Sequence, residues 1–162
     1  MTVSIQEVDF DVGQEIADLS RDSAEVGAVA SFVGLVRNTG AVSLETTDLQ
    51  ASNGQVMIAA MTLEHYPGMT EAALAAIVAD AKERWMLQKV RVIHRVGRLG
   101  PGERIVFVGV ASAHRGDAFA ACEFIMDYLK TQAPFWKKEE TATGGRWVDA
   151  RETDNDAAAR WQ

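Results

Sequence analysis

Cysteine, histidine and proline are all scarce: one Cys, three His and three Pro stand in 162 residues. The lone Cys122 excludes an internal disulfide, and three histidines without a cysteine cluster make no zinc pattern. No apolar run approaches the roughly 20 residues that a membrane helix requires. The opening stretch, MTVSIQEVDF, lacks the basic-then-apolar layout of a signal peptide. A cytoplasmic protein with no metal, no cofactor and no membrane contact is the expectation. Positive charge is short too. The 16 Lys+Arg are outnumbered by 23 Asp+Glu, giving a formal charge of −7 that disfavours nucleic acid as a partner.

Against these absences, 48% of the residues are hydrophobic, enough for a folded globule. The length suits one domain spanning 1–162. Val3–Phe10 reads as a first strand. Asp11 caps a short helix running to about Leu19. Ala28–Val36 reads as a largely buried strand with a bulge at Gly34, delivering Arg37 at its end. On position alone Arg37 is a solvated strand terminus. Asn38–Gln55 is a polar, weakly patterned connection, expected to be mobile. Val56–Glu64 reads as a central strand that ends at the His65-Tyr66-Pro67-Gly68 turn.

Thr70 is placed to cap the next helix, with Glu71 in its first turn. Leu74, Ile77, Val78, Ala81 and Trp85 then fall at helical spacing. Over Lys89–Leu99, His94 shares a face with Val90, Val92 and Val96, which marks it as a hydrogen-bonded core histidine rather than a catalyst. Gly100-Pro101-Gly102 turns the chain into the apolar strand Arg104–Ala113, forming an antiparallel hairpin. Helices among hairpin-paired strands indicate an α+β fold, not a doubly wound parallel sheet. Trp147-Val148 reads as an edge strand, and the tail over about 153–162 as frayed or waiting for a partner.

The chemistry concentrates in Ala113–Lys138. His114-Arg115 precedes a helix of about Gly116–Thr131, and free amides at a helix start beside two basic side chains suit an anion. Asp117 in the first turn competes for the same dipole. Phe119, Cys122, Met126 and Leu129 form the helix's apolar stripe, with Cys122 an inert core thiol. Lys130 lies at the edge of that stripe. Two readings stay open: a partly desolvated lysine fit for proton transfer, or a helix-end lysine reaching water. Pro134 ends the helix, and Phe135–Lys138 reads as extended. Lys137 and Lys138 then face opposite ways, so only one accompanies Lys130; both also fit an exposed strand end.

Several motifs carry a resemblance: LEHYPGM at 63–69, IVFVGVASAHR at 105–115, FIMDYLKTQAPFWKKE at 124–139 and RWVDARE at 146–152. Together they resemble the large, catalytic subunit of molybdopterin synthase, the MoaE family. The resemblance implies an α/β-hammerhead-type fold with mostly antiparallel sheet and packed helices. It also implies a sulfurtransferase that turns cyclic pyranopterin monophosphate, precursor Z, into molybdopterin by adding the two dithiolene sulfurs. The implied partner is a small ubiquitin-like sulfur carrier ending in a Gly-Gly thiocarboxylate, one at each end of a homodimer, making a heterotetramer. By motif, Lys130 and Lys137 match the family's essential lysines. Arg37, His114 and Arg115 match its substrate-anion residues, and Lys138 and Glu139 the flank of the second lysine. Leu35 departs from the family pattern, standing where many relatives carry a basic residue. Two other readings of the same residues are a non-catalytic dimeric scaffold that docks a carrier tail, and a phosphate-ester hydrolase.

Overall fold

Alternating valines build the main sheet. In the computed structural model, which describes residues 1–41, 55–142, 144–148 and 152–162, it holds Val3–Gln6 (β1), Ala28–Leu35 (β2), Leu87–Arg95 (β6) and Arg104–Ser112 (β8). The strand order is β1-β6-β8-β2, with β1 parallel to β6 and the other pairs antiparallel. Both faces are covered, which explains why β8 reads as an unbroken apolar run. Val106, Val108 and Val110 point to helices Met69–Arg84 (α2) and Arg115–Gln132 (α3). Phe107 and Ala111 point the other way, packing with Phe10 and with Leu19 of helix Val12–Ser20 (α1). Asp11 caps α1 as expected, accepting from the Gln14 amide.

A second sheet contains Gly144–Val148 (β10), Phe135–Thr141 (β9), Ala60–His65 (β5) and Gly97–Leu99 (β7), in the order β10-β9-β5-β7 and antiparallel throughout. Val36, Leu63 and Leu99 pack where the two sheets meet. The α+β expectation stands: antiparallel pairing dominates and helices pack against the sheets.

Several local expectations change. Strand β2 is an edge strand with only Ala30 buried, because among the described residues β8 is its one sheet neighbour. The bulge at Gly34 is present as a register shift between Gly34 and Leu35. The 38–55 connection carries strands at its ends, Thr39–Ala41 (β3) paired with Gln55–Met57 (β4); its expected mobility falls on residues outside those described. The central strand expected from Val56 is divided, since β4 and β5 belong to different sheets. The tail is not frayed. Helix Glu152–Ala159 (α4) leads to Trp161, whose ring meets Trp85 and Phe124 edge-on at 5.7 and 5.6 Å. Its indole N–H donates to Asp127 at 2.7 Å. Sequence periodicity missed this because one tryptophan, not a stripe, does the anchoring. Trp161→Ala should lower stability by about 2 kcal/mol, below the range for a fully buried tryptophan because Trp161 is half-buried. Urea melts would show it; an unchanged midpoint would contradict the docking.

Candidate functional site

The link between α3 and β9 organises the site. Proline cannot continue a helix, and Ala133 before it is extended at φ −82°, ψ 127°, so Pro134 reverses the chain into β9. Along β9 the side chains alternate. Phe135, Lys137 and Glu139 share the inner face with His65 and Leu63, their partners on β5 being read from the pairing His65↔Phe135 and Leu63↔Lys137. Trp136, Lys138 and Glu140 occupy the outer face.

His94 sits at the centre of the inner arrangement. It is 3% exposed, and its ring stacks on Phe135 with centroids 3.7 Å apart and an interplanar angle of 16°. Its Nδ1–H donates to the Arg95 carbonyl at 2.8 Å, which leaves Nε2 with the lone pair. Burial pushes its pKa down to about 3, against the pull of that hydrogen bond, and the charges of Lys137, Lys130 and His65 push the same way. Both lysines are thus within electrostatic reach of one neutral imidazole. The core-histidine expectation holds.

This has a measurable consequence. An unfolded histidine titrates near 6.5 while folded His94 stays neutral to about 3. Between those values the unfolded chain binds the extra proton, so acid destabilises the fold by at most about 1.4 kcal/mol per pH unit from this group. The contribution is fully present above pH 6.5. Urea unfolding at pH 7, 6 and 5 should show a steeper loss for the wild type than for His94→Phe. Equal slopes would contradict a neutral, buried His94.

Lys130, in the last turn of α3, is exposed rather than half-desolvated. The buried face of α3 consists of Ala118, Ala121, Cys122, Phe124, Ile125, Met126 and Leu129, and Phe119 is 66% exposed. Of the expected stripe Cys122, Met126 and Leu129 are buried and only Phe119 turns outwards, while Lys130 lies beyond the buried edge in solvent. Cys122 is buried, and burial raises its thiol to about 11, as suits an inert core residue.

Lys138 faces away from Lys130 and Lys137. Its ammonium lies 5.9 Å from the Trp147 ring centroid, and its stem crosses Gly145 of β10. Glu139 is 7% exposed and accepts from Arg146 Nη2 at 3.0 Å and Nε at 3.3 Å. It lies close beneath Gly40, with Glu139 committed to an ion pair inside the sheet. Arg37 is exposed, directly after Val36 at the junction of the two sheets, so it shares the lysines' end of the molecule.

His114 and Arg115 are elsewhere. Ser112 holds their turn: its hydroxyl donates to the Met86 carbonyl at 2.8 Å and accepts from the His114 amide at 3.4 Å. His114 is the N-cap residue of α3 without a side-chain cap bond, and both basic side chains are exposed beside the open amides. Arg115 and Lys130 are fifteen residues apart on one helix, about 22 Å at 1.5 Å per residue. Two extended side chains do not close that gap. One chain therefore separates the expected site residues into two half-sites: Arg37, Lys130 and Lys137 at one end of α3, His114 and Arg115 at the other. Two concavities, of about 530 and 360 Å³, lie beside α1 and beside the Asp9–Arg104 pair, away from both.

Sequence reasoning missed His65, Phe135 and Thr70. Only the strand alternation around Pro134 hinted at Phe135, and Thr70 was expected as a helix cap. Gly68 is the N-cap residue instead, its amide donating to Glu71 at 2.6 Å, while Thr70 is fully buried.

Comparison with known proteins adds a family. The profile described as "MoaE protein" matches residues 5–132. A relative from Ralstonia nicotianae, named molybdopterin synthase catalytic subunit, is 58% identical over 160 residues, covering 99% of this chain and 84% of its own. The molybdopterin biosynthesis MoaE protein from Burkholderia ambifaria has a solved structure that superposes with a TM-score of 0.78 at 52% identity, covering 99% and 97% of the two chains. A complex of subunits 1 and 2 of molybdopterin-converting factor from Helicobacter pylori shares the fold at a TM-score of 0.66 and 17% identity, over 93% and 90%.

Proposed function

The chain belongs to the MoaE family, and from that premise we propose that it works as a molybdopterin synthase catalytic subunit and a sulfurtransferase. Its substrates are cyclic pyranopterin monophosphate and a small carrier protein ending in a thiocarboxylate. The carrier's sulfur is already the nucleophile, so the buried Cys122 has no part to play. A cytoplasmic setting belongs to the same reading.

The observation that carries the reading is the reversal at Pro134, which places Lys130 at the end of α3 and Lys137 on β9 to either side of the Phe135 ring stacked on His94. Displacing oxygen by sulfur needs protons delivered to leaving oxygens and an environment that steadies developing negative charge. Lys130 and Lys137 supply both. We assign them the acyl-sulfur intermediate, in which the carrier's carbonyl carbon is joined through sulfur to the pterin side chain. Water then releases the carrier as a carboxylate and leaves sulfur on the product. Arg37 joins them as an anion contact. Glu139, bonded to Arg146, acts by holding β9 in place, and Lys138 serves the outer face.

The separation of the half-sites gives the dimer a role. In a homodimer, the His114–Arg115 turn of a second copy can approach the lysines that its own copy's turn cannot reach. It would there hold the substrate phosphate.

The direct test supplies precursor and thiocarboxylated carrier to the purified protein and follows dithiolene product. Product formation dependent on both is expected. Carrier binding without turnover would make the chain a scaffold, and phosphate release without sulfur transfer would make it a hydrolase.

A further inference from the structure

Thr70 occupies a position that neither a helix cap nor a core methyl explains. It is 0% exposed in the first turn of α2, yet its hydroxyl serves two other segments. It accepts from the Tyr66 amide at 3.0 Å and donates to the Pro134 carbonyl at 3.0 Å. One hydroxyl proton and two lone pairs allow that pair of bonds. Pro134 is the residue that reverses the chain between Lys130 on α3 and Lys137 on β9.

The neighbouring residue is held from another direction. Phe135 is stacked on His94, and His94 is fixed by its bond to the Arg95 carbonyl. The link is therefore pinned at its backbone from α2 and at its aromatic ring from β6. Without the Thr70 hydroxyl the part-buried Pro134 carbonyl loses this donor. The turn between the two lysines is the part free to relax.

We propose that Thr70 is a positioning residue for the sulfur-transfer reaction, its hydroxyl setting Lys130 relative to Lys137 through the Pro134 carbonyl. The proposal rests on the functional reading above and deepens it. Thr70 touches neither substrate nor carrier. Its effect belongs to the chemical step, because proton transfer is sensitive to misplacements of an ångström.

The test compares Thr70→Val, which keeps shape and loses both bonds, with Thr70→Ser, which keeps the hydroxyl. Turnover is measured per folded molecule with saturating thiocarboxylated carrier, well below each variant's melting temperature. Thr70→Val should lose about tenfold to a hundredfold in kcat, with KM for the precursor and Kd for the carrier within about twofold. Thr70→Ser should recover most of the rate. Equal loss in both variants, a loss confined to KM, or a valine variant that does not fold would each overturn the proposal, the last by making the hydroxyl structural. A second readout is independent of turnover: spectra of protein labelled at lysine Cε should show the Lys130 and Lys137 signals moved in Thr70→Val and restored in Thr70→Ser. If wild type makes no dithiolene, the functional reading fails while these spectra still decide the positioning; unmoved signals would overturn it.

Discussion

Lys130→Ala is expected to lower dithiolene formation by about 10²–10⁴-fold while leaving carrier binding and stability close to wild type. The size of the loss follows from the proton-donor role proposed for it at the reacting centre. The selectivity follows from its position. Lys130 is exposed at the end of α3, where truncation removes no core packing and typically moves stability by less than about 0.5 kcal/mol. Lys137→Ala should lose turnover comparably. It is half-buried on the inner face of β9, so a larger change in stability should accompany it. With the two lysines proposed to act on one intermediate, the double variant should be scarcely slower than either single one. Single-turnover assays with saturating carrier separate these cases. Near-wild-type rates in Lys130→Ala would remove it from the chemistry.

Gly27→Ala should cost about a hundredfold in activity and about 1–3 kcal/mol in stability. A Cβ at this position would run into the Ala113 backbone carbonyl, and backbone cannot swing aside as a side-chain end can. Gly27 also donates its amide to the Ser112 carbonyl at 3.0 Å. The residue thus seats the turn that carries His114 and Arg115. Forcing the turn outwards displaces both basic side chains without touching either. The expected signature is a raised KM for the phosphorylated precursor with carrier affinity intact, read by steady-state kinetics alongside urea melts. A well-folded, fully active variant would show that the turn tolerates the shift and that its placement is unimportant.

How far the residues alone reveal this arrangement differs from element to element. Strand β8 and helix α2 are legible because a single period runs through each: an apolar strand covered on both faces, and a stripe at Leu74, Ile77, Val78 and Ala81. The opposite facing of Lys137 and Lys138 follows from strand alternation and Pro134. Other features depend on contacts between distant segments. The burial of Thr70 depends on Pro134, 64 residues away, and local capping rules describe only its near neighbours. The exposure of Phe119 on α3 depends on which sheet surface the helix meets. Trp161 docks through Trp85, Phe124 and Asp127, none adjacent in sequence. The half-site separation is a matter of simple length: SAHR and DYLKT look like neighbours in one motif-rich segment, yet a helix of 18 residues holds them apart. The reaction itself entered through family resemblance, not through any spacing.

That separation leads to the central claim, that the lysine pair of one copy works with the His114–Arg115 turn of another. Subunit mixing tests it most directly. Lys130→Ala and Arg115→Ala chains are each assayed alone, then unfolded together, refolded and assayed again with precursor and thiocarboxylated carrier. If sites are completed across the dimer, half of the random pairs carry one intact site, and activity should return to about a quarter of wild type from two nearly inactive parents. Activity that stays at the parental level, with mixed dimers shown to have formed, would contradict the claim.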